Sequence, residues 1–169
     1  MGDELGMERV RIPDDRVRDP FAIKVKGFDL GRDPERVPLR WDDSPRGSFT
    51  DGEPWLPLGK PEFNVTTLRG NRNSILNLYR ELIALRRATP CLMRGDYQPM
   101  RARDGVLAYR RILGVEQILV LLNIAGEPRR WDCGRTGHCL LSTDPARARG
   151  SLGRTIQLQG NEGLIIATR

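Results

Sequence analysis

The densest collection of side chains able to do chemistry lies between Gly31 and Pro57, GRDPERVPLRWDDSPRGSFTDGEPWLP. Arg32, Asp33, Arg36, Arg40, Asp42 and Asp43 share loop-forming sequence there with Trp41, Phe49 and Trp55. Carbohydrate sites use this mixture. Charged groups make strong, often bidentate hydrogen bonds to hydroxyls, and flat aromatic faces cover the C–H patches of a sugar ring. The same residues also suit a plainer role, in which tryptophans pin long loops to a core and the charges pair with one another. Residue types alone favour that second role.

Other chemistries find little support. A Ser/His/Asp arrangement would have to use the single histidine, His138, which falls in an expected strand with nothing nearby in sequence to orient it. The glycines are turn glycines without phosphate-loop spacing. Cys91, Cys133 and Cys139 are odd in number, match no paired metal spacing and read as reduced thiols. Cys133 and Cys139, with Gly134 and Gly137 between them, are expected to flank a hairpin turn. No metal and no cofactor is expected. No apolar run reaches membrane-spanning length, and MGDELGMERVRIPDD lacks the basic and apolar regions of a secretory signal, so a cytoplasmic location is expected.

Three textures organise the chain. Residues 1–70 are dense in Pro, Gly and Asp with little periodic pattern, and read as long loops laid over a scaffold. One helix is expected from about Arg72 to Ala88. Ile75, Leu78, Tyr79, Leu82 and Leu85 form an apolar stripe that Leu76 and Ile83 widen, so more than half the circumference should be buried. Asn71, Asn73 or Ser74 can cap its start, and Pro90 stops it. From about Gly95 onward short strands follow: Val106–Ile112 and Gln117–Ile124 as a hairpin, then Arg129–Cys133, His138–Thr143, Arg154–Gln159 and Gly163–Thr168. With no helix between them they suggest an antiparallel Greek-key sandwich, the last strand central.

The net charge of +6 is uneven: residues 1–73 net −1 and residues 74–169 net +7. A basic half raises the question of nucleic acid. The arginines are scattered, however, and no aromatic-and-basic interleaving suited to stacking bases occurs. A solvated basic surface is the better reading, so no nucleic-acid partner is expected.

Several blocks carry a family resemblance. Arg32-Asp33-Pro34-Glu35-Arg36-Val37-Pro38-Leu39-Arg40-Trp41-Asp42 resembles the RDxxRTPMQWD signature of glycoside hydrolase family 13 α-glucosidases and oligo-1,6-glucosidases. Gly2 to Met7 resembles their segment after the eighth barrel strand. Gly47 to Thr50, Pro54-Trp55-Leu56-Pro57 and Asn64-Val65 fall where that family has GFT, PWLP and NV, and Ser74–Arg87 resembles its last barrel helix. Val37, Leu39 and Arg40 replace the usual Thr, Met and Gln, and Ser48 stands at a glycine position. Arg40 would add charge beside Trp41.

The resemblance implies a mixed fold: residues 1–92 as terminal loops and last helix of a (β/α)8 catalytic barrel, residues 93–169 as the family's C-terminal β-sandwich. It implies retaining hydrolysis of α-glucosides by an aspartate nucleophile and a glutamate acid/base. These, with a further aspartate, belong to barrel strands upstream of Met1, so no catalytic residue is expected in this chain. It implies substrate-binding roles for Arg32, on the hydroxyls of the −1 glucose and paired with an aspartate on a loop outside the chain, and for Arg36, bracing that loop. Asp3 and Glu4 would border the +1 subsite. The partner implied is an α-glucoside or oligosaccharide. A second reading is a non-catalytic carbohydrate-binding or assembly module docking with a separate barrel. The oligomeric state stays open.

Overall fold

The computed structural model describes residues 1–25, 27–28 and 30–168. Two compact units form, Met1–Arg80 and Glu81–Arg169.

The first unit is mostly loop, as its composition requires. Its regular pieces are short: α1, Pro20–Lys24, α2, Val65–Gly70, and three 3-10 turns at Asp3–Leu5, Asp14–Arg16 and Asp33–Arg36. Asp19 and Asn64 cap α1 and α2 by accepting the N–H groups of Phe21 and Thr67. Ile12, Val37 and Leu56 form a small apolar core, with Met7, Val10, Val17 and Trp55 against it.

The long helix α3 runs Ile75–Ala88. Ser74 is the cap, its hydroxyl accepting the Asn77 N–H at 3.2 Å. No residue of α3 is buried, and Ile75, Tyr79 and Ile83 are each more than 40% exposed. The expectation that most of the circumference is covered is not met, because periodicity identifies an apolar face without supplying its partner. Pro90 ends α3 and also opens the next helix, α4, Pro90–Arg94, where a missing N–H costs nothing.

The second unit is antiparallel. Its strands are β1 Asp96–Pro99, β2 Val106–Leu113, β3 Glu116–Asn123, β4 Arg129–Asp132, β5 Gly137–Ser142, β6 Ser151–Leu152, β7 Thr155–Leu158 and β8 Gly163–Thr168. Six pair in the order β1-β2-β3-β8-β5-β6, and β4 pairs with β7. β8 is central, between β3 and β5, as expected. Its alternate residues serve two cores. Leu164 and Ile166 join Leu119, Leu121, Trp131, Ile156 and Leu158, from both sheets, in the larger one. Ile165 and Ala167 pack with Ile118, Val120 and the α4 residues Cys91 and Leu92. Burial on both faces explains why β3 and β8 are almost continuously apolar.

One expectation is corrected. Cys133 and Cys139 do not flank a hairpin, because β4 pairs with β7 while β5 pairs with β6 and β8. The glycine-rich connection crosses between sheets. Both thiols are buried in the larger core, and burial raises their pKa, Cys133 to about 11.

Candidate functional site

Arg32 is held by a polar clasp. The Asp19 carboxylate accepts the Arg32 backbone N–H and its Nε–H, both at 2.8 Å, through one oxygen. Its other oxygen accepts the Phe21 N–H at 2.9 Å and a longer bond from Arg32 Nη2. Fourteen residues on, Asp33 returns the arrangement. It accepts the backbone N–H groups of Arg18 and Asp19 at 2.7 and 2.9 Å, and Arg36 Nη1–H at 3.0 Å. Two segments are thus each tied by the other's aspartate, and both carboxylates are buried.

The electrostatics follow from these bonds. The Arg32 guanidinium, then the backbone N–H groups of Arg32 and Phe21, hold Asp19 far below the usual carboxylate range. Burial would raise Asp33, but the N–H groups of Arg18 and Asp19 and the Arg36 guanidinium outweigh it, and its pKa is lowered. Both are therefore anionic at neutral pH, and Asp19 in turn raises Arg32. The Arg32 side chain is 69% exposed. Its Nη1 makes no hydrogen bond among the described residues, leaving two N–H groups in a fixed plane for a ligand oxygen.

The aspartate that holds Arg32 is Asp19 of the chain itself, not one on a loop outside it as expected, and residue types did not mark Asp19 although a signal existed. Arg-Asp-Pro occurs twice, at residues 18–20 and 32–34, and each proline opens a helical turn with the aspartate beside it. Arg36 pairs with Asp33 within its own turn, Nη1 to Oδ1 at 3.0 Å. Asp3 and Glu4 lie on the first 3-10 turn, with Asp3 exposed and Glu4 accepting the Gly2 N–H at 3.2 Å. No hydrogen bond or ion pair among the described residues joins either to Arg32 or Arg36. An open cavity of about 450 Å³ adjoins the clasp, lined by Ile12, Ala22, Ile23, Leu30, Asp33 and Pro34 among others.

Arg40 does not add charge beside Trp41 at a rim. It is 4% exposed and turns inward, donating from Nη2 to the Ser44 carbonyl, while Trp41 is 54% exposed. Gly47 permits this, since a Cβ there would sit 2.9 Å from Arg40 Cγ. Ser48, at the family's glycine position, takes a left-handed φ of 49° that its hydroxyl offsets with a 2.5 Å bond to Asp42. Trp55 pins a loop as residue types suggested, donating Nε1–H to the Arg16 carbonyl at 2.8 Å beneath the Arg18 guanidinium.

Among the described residues no cluster of three His, Cys, Asp or Glu side chains could hold a metal ion, and no helix is long and apolar enough to cross a membrane. Residues 1–95 match the α-amylase catalytic domain, and the chain belongs to the α-amylase family, glycoside hydrolase family 13. It is 33% identical over 145 residues to the oligo-1,6-glucosidase of Parageobacillus thermoglucosidasius, covering 73% of this chain and 26% of that protein. A probable α-glucosidase of Rhizobium meliloti is 30% identical over 128 residues, covering 75% of this chain and 23% of that one. The crystal structure of trehalulose synthase MutB from Pseudomonas mesoacidophila MX-45 superposes with a TM-score of 0.84 at 28% identity, over all of this chain and 35% of its own. The chain therefore spans about a quarter of the length of the curated relatives it matches.

Proposed function

We propose that this chain is the C-terminal portion of a retaining α-glucosidase acting on malto- or isomalto-oligosaccharides, and that the polypeptide itself lacks the catalytic carboxylates. In this reading residues 1–92 complete a (β/α)8 barrel, with α3 laying its open apolar face on it, and residues 93–169 form a Greek-key β-sandwich. The observation that carries it is Arg32, fixed through Nε on a buried aspartate, with its side chain largely exposed and Nη1 free of hydrogen bonds among the described residues. An arginine so placed presents a directed pair of donors to a sugar hydroxyl at low cost in conformational freedom. Arg36 holds the loop through Asp33, and Asp3 and Glu4 border the leaving-group side. Three free, buried thiols support a reducing, cytoplasmic setting.

The purified chain should give no turnover of 4-nitrophenyl α-glucoside. Fused behind the barrel segment of an oligo-1,6-glucosidase it should support hydrolysis, and Arg32→Ala should then lower kcat/KM by about tenfold to a hundredfold. Turnover by the chain alone, with a contaminating enzyme excluded, or a fusion whose activity is indifferent to Arg32→Ala, would overturn the reading.

A second reading, a non-catalytic sugar-binding module, is favoured by Trp41, whose ring is open to a sugar face. Quenching of Trp41 fluorescence by millimolar maltose would support it, and no change would remove it.

A further inference from the structure

We propose that the antiparallel unit carries a separate binding site for a small molecule bearing both an oxyanion and hydroxyl groups, a sugar phosphate or a sugar acid. The site is a cavity of about 420 Å³, lined by Met100, Arg101, Arg103 and Asp104 before β2, Arg130 to Asp132 of β4, and Thr155 of β7. That volume falls within the range of small-molecule pockets. The inference stands apart from the α-glucosidase reading, because it uses none of the residues around Arg32.

Three arginines lining one cavity without a protein partner among the described residues carry the argument. The guanidinium groups of Arg101, Arg103 and Arg130 are exposed and make no hydrogen bond or ion pair among the described residues, yet all three line one concavity. Like charges gathered in a cleft focus a positive potential, and the guanidinium fork matches phosphate and carboxylate oxygens bidentately. Trp131 adds to the lining while 6% exposed, and its Nε1–H, itself buried, has no acceptor among the described residues. Two carboxylates share the rim, Asp104 and Asp132, the latter with one oxygen engaged by the Gly134 N–H at 2.8 Å. They disfavour a bare multivalent anion and offer acceptors to hydroxyl donors. An oxyanion joined to a polyol satisfies both sets.

The walls are set in advance. Arg103 and Val106 exchange backbone hydrogen bonds at 3.2 and 2.7 Å across Asp104-Gly105, whose φ values of 50° and 79° make the tight hairpin turn this dipeptide favours. The Arg129 Nε–H then donates to the Asp104 carbonyl at 2.9 Å, tying that turn to β4. Met100 N–H bonds to Ala108 at 3.0 Å. Arg101 and Arg103 are therefore presented from an anchored segment, which lowers the entropy lost on binding.

The test titrates the full chain with glucose 6-phosphate, gluconate, inorganic phosphate and glucose, following the Nε–H signals of the three arginines and the Trp131 indole N–H by NMR. Saturable shifts are expected with glucose 6-phosphate or gluconate, at least about tenfold tighter than with phosphate or glucose. The tighter of the two identifies phosphate or carboxylate as the anionic group. Arg130→Ala and the Arg101→Ala/Arg103→Ala pair should each weaken binding about tenfold or more, with an unchanged thermal transition. Arg130→Lys, which keeps the charge and loses the fork, should weaken it as well. No saturation by either anion up to about 10 mM, equal binding of glucose or phosphate, or binding indifferent to these substitutions would overturn the proposal.

Discussion

Glu162 is buried in the antiparallel unit with all of its acceptor capacity in use. It takes hydrogen bonds from Ser142 Oγ at 2.6 Å, from the Gln159 N–H at 2.8 Å, and from Arg147 through Nε and, at 2.7 Å, Nη2. Burial alone would raise its pKa; Arg147, Ser142 and Gln159 reverse that and lower it. Because the folded value lies below the ordinary 4.5, the charge stabilises the fold above that pH, and the contribution is lost as pH falls through the folded value. Glu162→Gln keeps the shape and removes the charge opposite Arg147, and should cost about 3 kcal/mol at neutral pH in urea unfolding. The gap between the two proteins should narrow as pH drops below 4.5. A gap constant down to about pH 3 would show that the charge is not what Glu162 contributes.

The same corner decides how elements meet. Asn123, at the end of β3, donates to the Glu127 and Gln159 carbonyls at 2.9 and 2.6 Å, so the loop after β3 is laced to the turn between β7 and β8. Gly160 lets the two backbones touch, since a Cβ there would lie 2.2 Å from the Gly126 carbonyl oxygen. Gly160→Ala should therefore destabilise by about 2 kcal/mol although it adds one methyl group at a turn, read as a lowered midpoint of thermal unfolding. An unchanged midpoint would mean that the turn moves freely. Nothing in the residue types near Gly160 announces this contact, because it joins segments more than thirty residues apart in sequence. What was legible is what depends on local pattern: α3, with Ser74 one of three cap candidates, the β2–β3 hairpin, and the strands Arg129–Asp132, Gly137–Ser142, Thr155–Leu158 and Gly163–Thr168 to within a residue or two. What was not legible depends on distant partners. The short α1, α2 and β6 have too few residues to show a period, and β1 and α4 acquire their form from pairing with β2 and packing under β3. The site divides the same way. The signature located Arg32 and Arg36, but Asp19, which aims Arg32, and the inward turn of Arg40 both come from contacts across loops.

At the scale of the whole molecule, the two units rest on different physics, and their stabilities should differ accordingly. The unit of residues 81–169 buries apolar side chains in two clusters that reach both faces of β3 and β8. The unit of residues 1–80 has a small apolar cluster of Ile12, Val37 and Leu56, with Leu5 buried apart from it, and relies besides on polar ties such as the Asp19–Arg32 and Asp33–Arg36 clasp. Apolar burial scales with the area removed from water, whereas each hydrogen bond exchanges for one to solvent and contributes little net. Local opening should therefore cost less in the first unit. Amide hydrogen exchange at neutral pH should show Leu119, Leu121 and Ile166 at least about a hundredfold more protected than Arg32 and Val37. Asp33→Asn should loosen the first unit further, because the amide keeps an acceptor for the N–H groups of Arg18 and Asp19 but gives up the charge facing Arg36. Exchange across residues 96–168 should be unaffected by that change. Equal protection of the two units would instead mean that the loops of the first are supported by far more than their small apolar core, and that its polar clasp is a stabilising element in its own right.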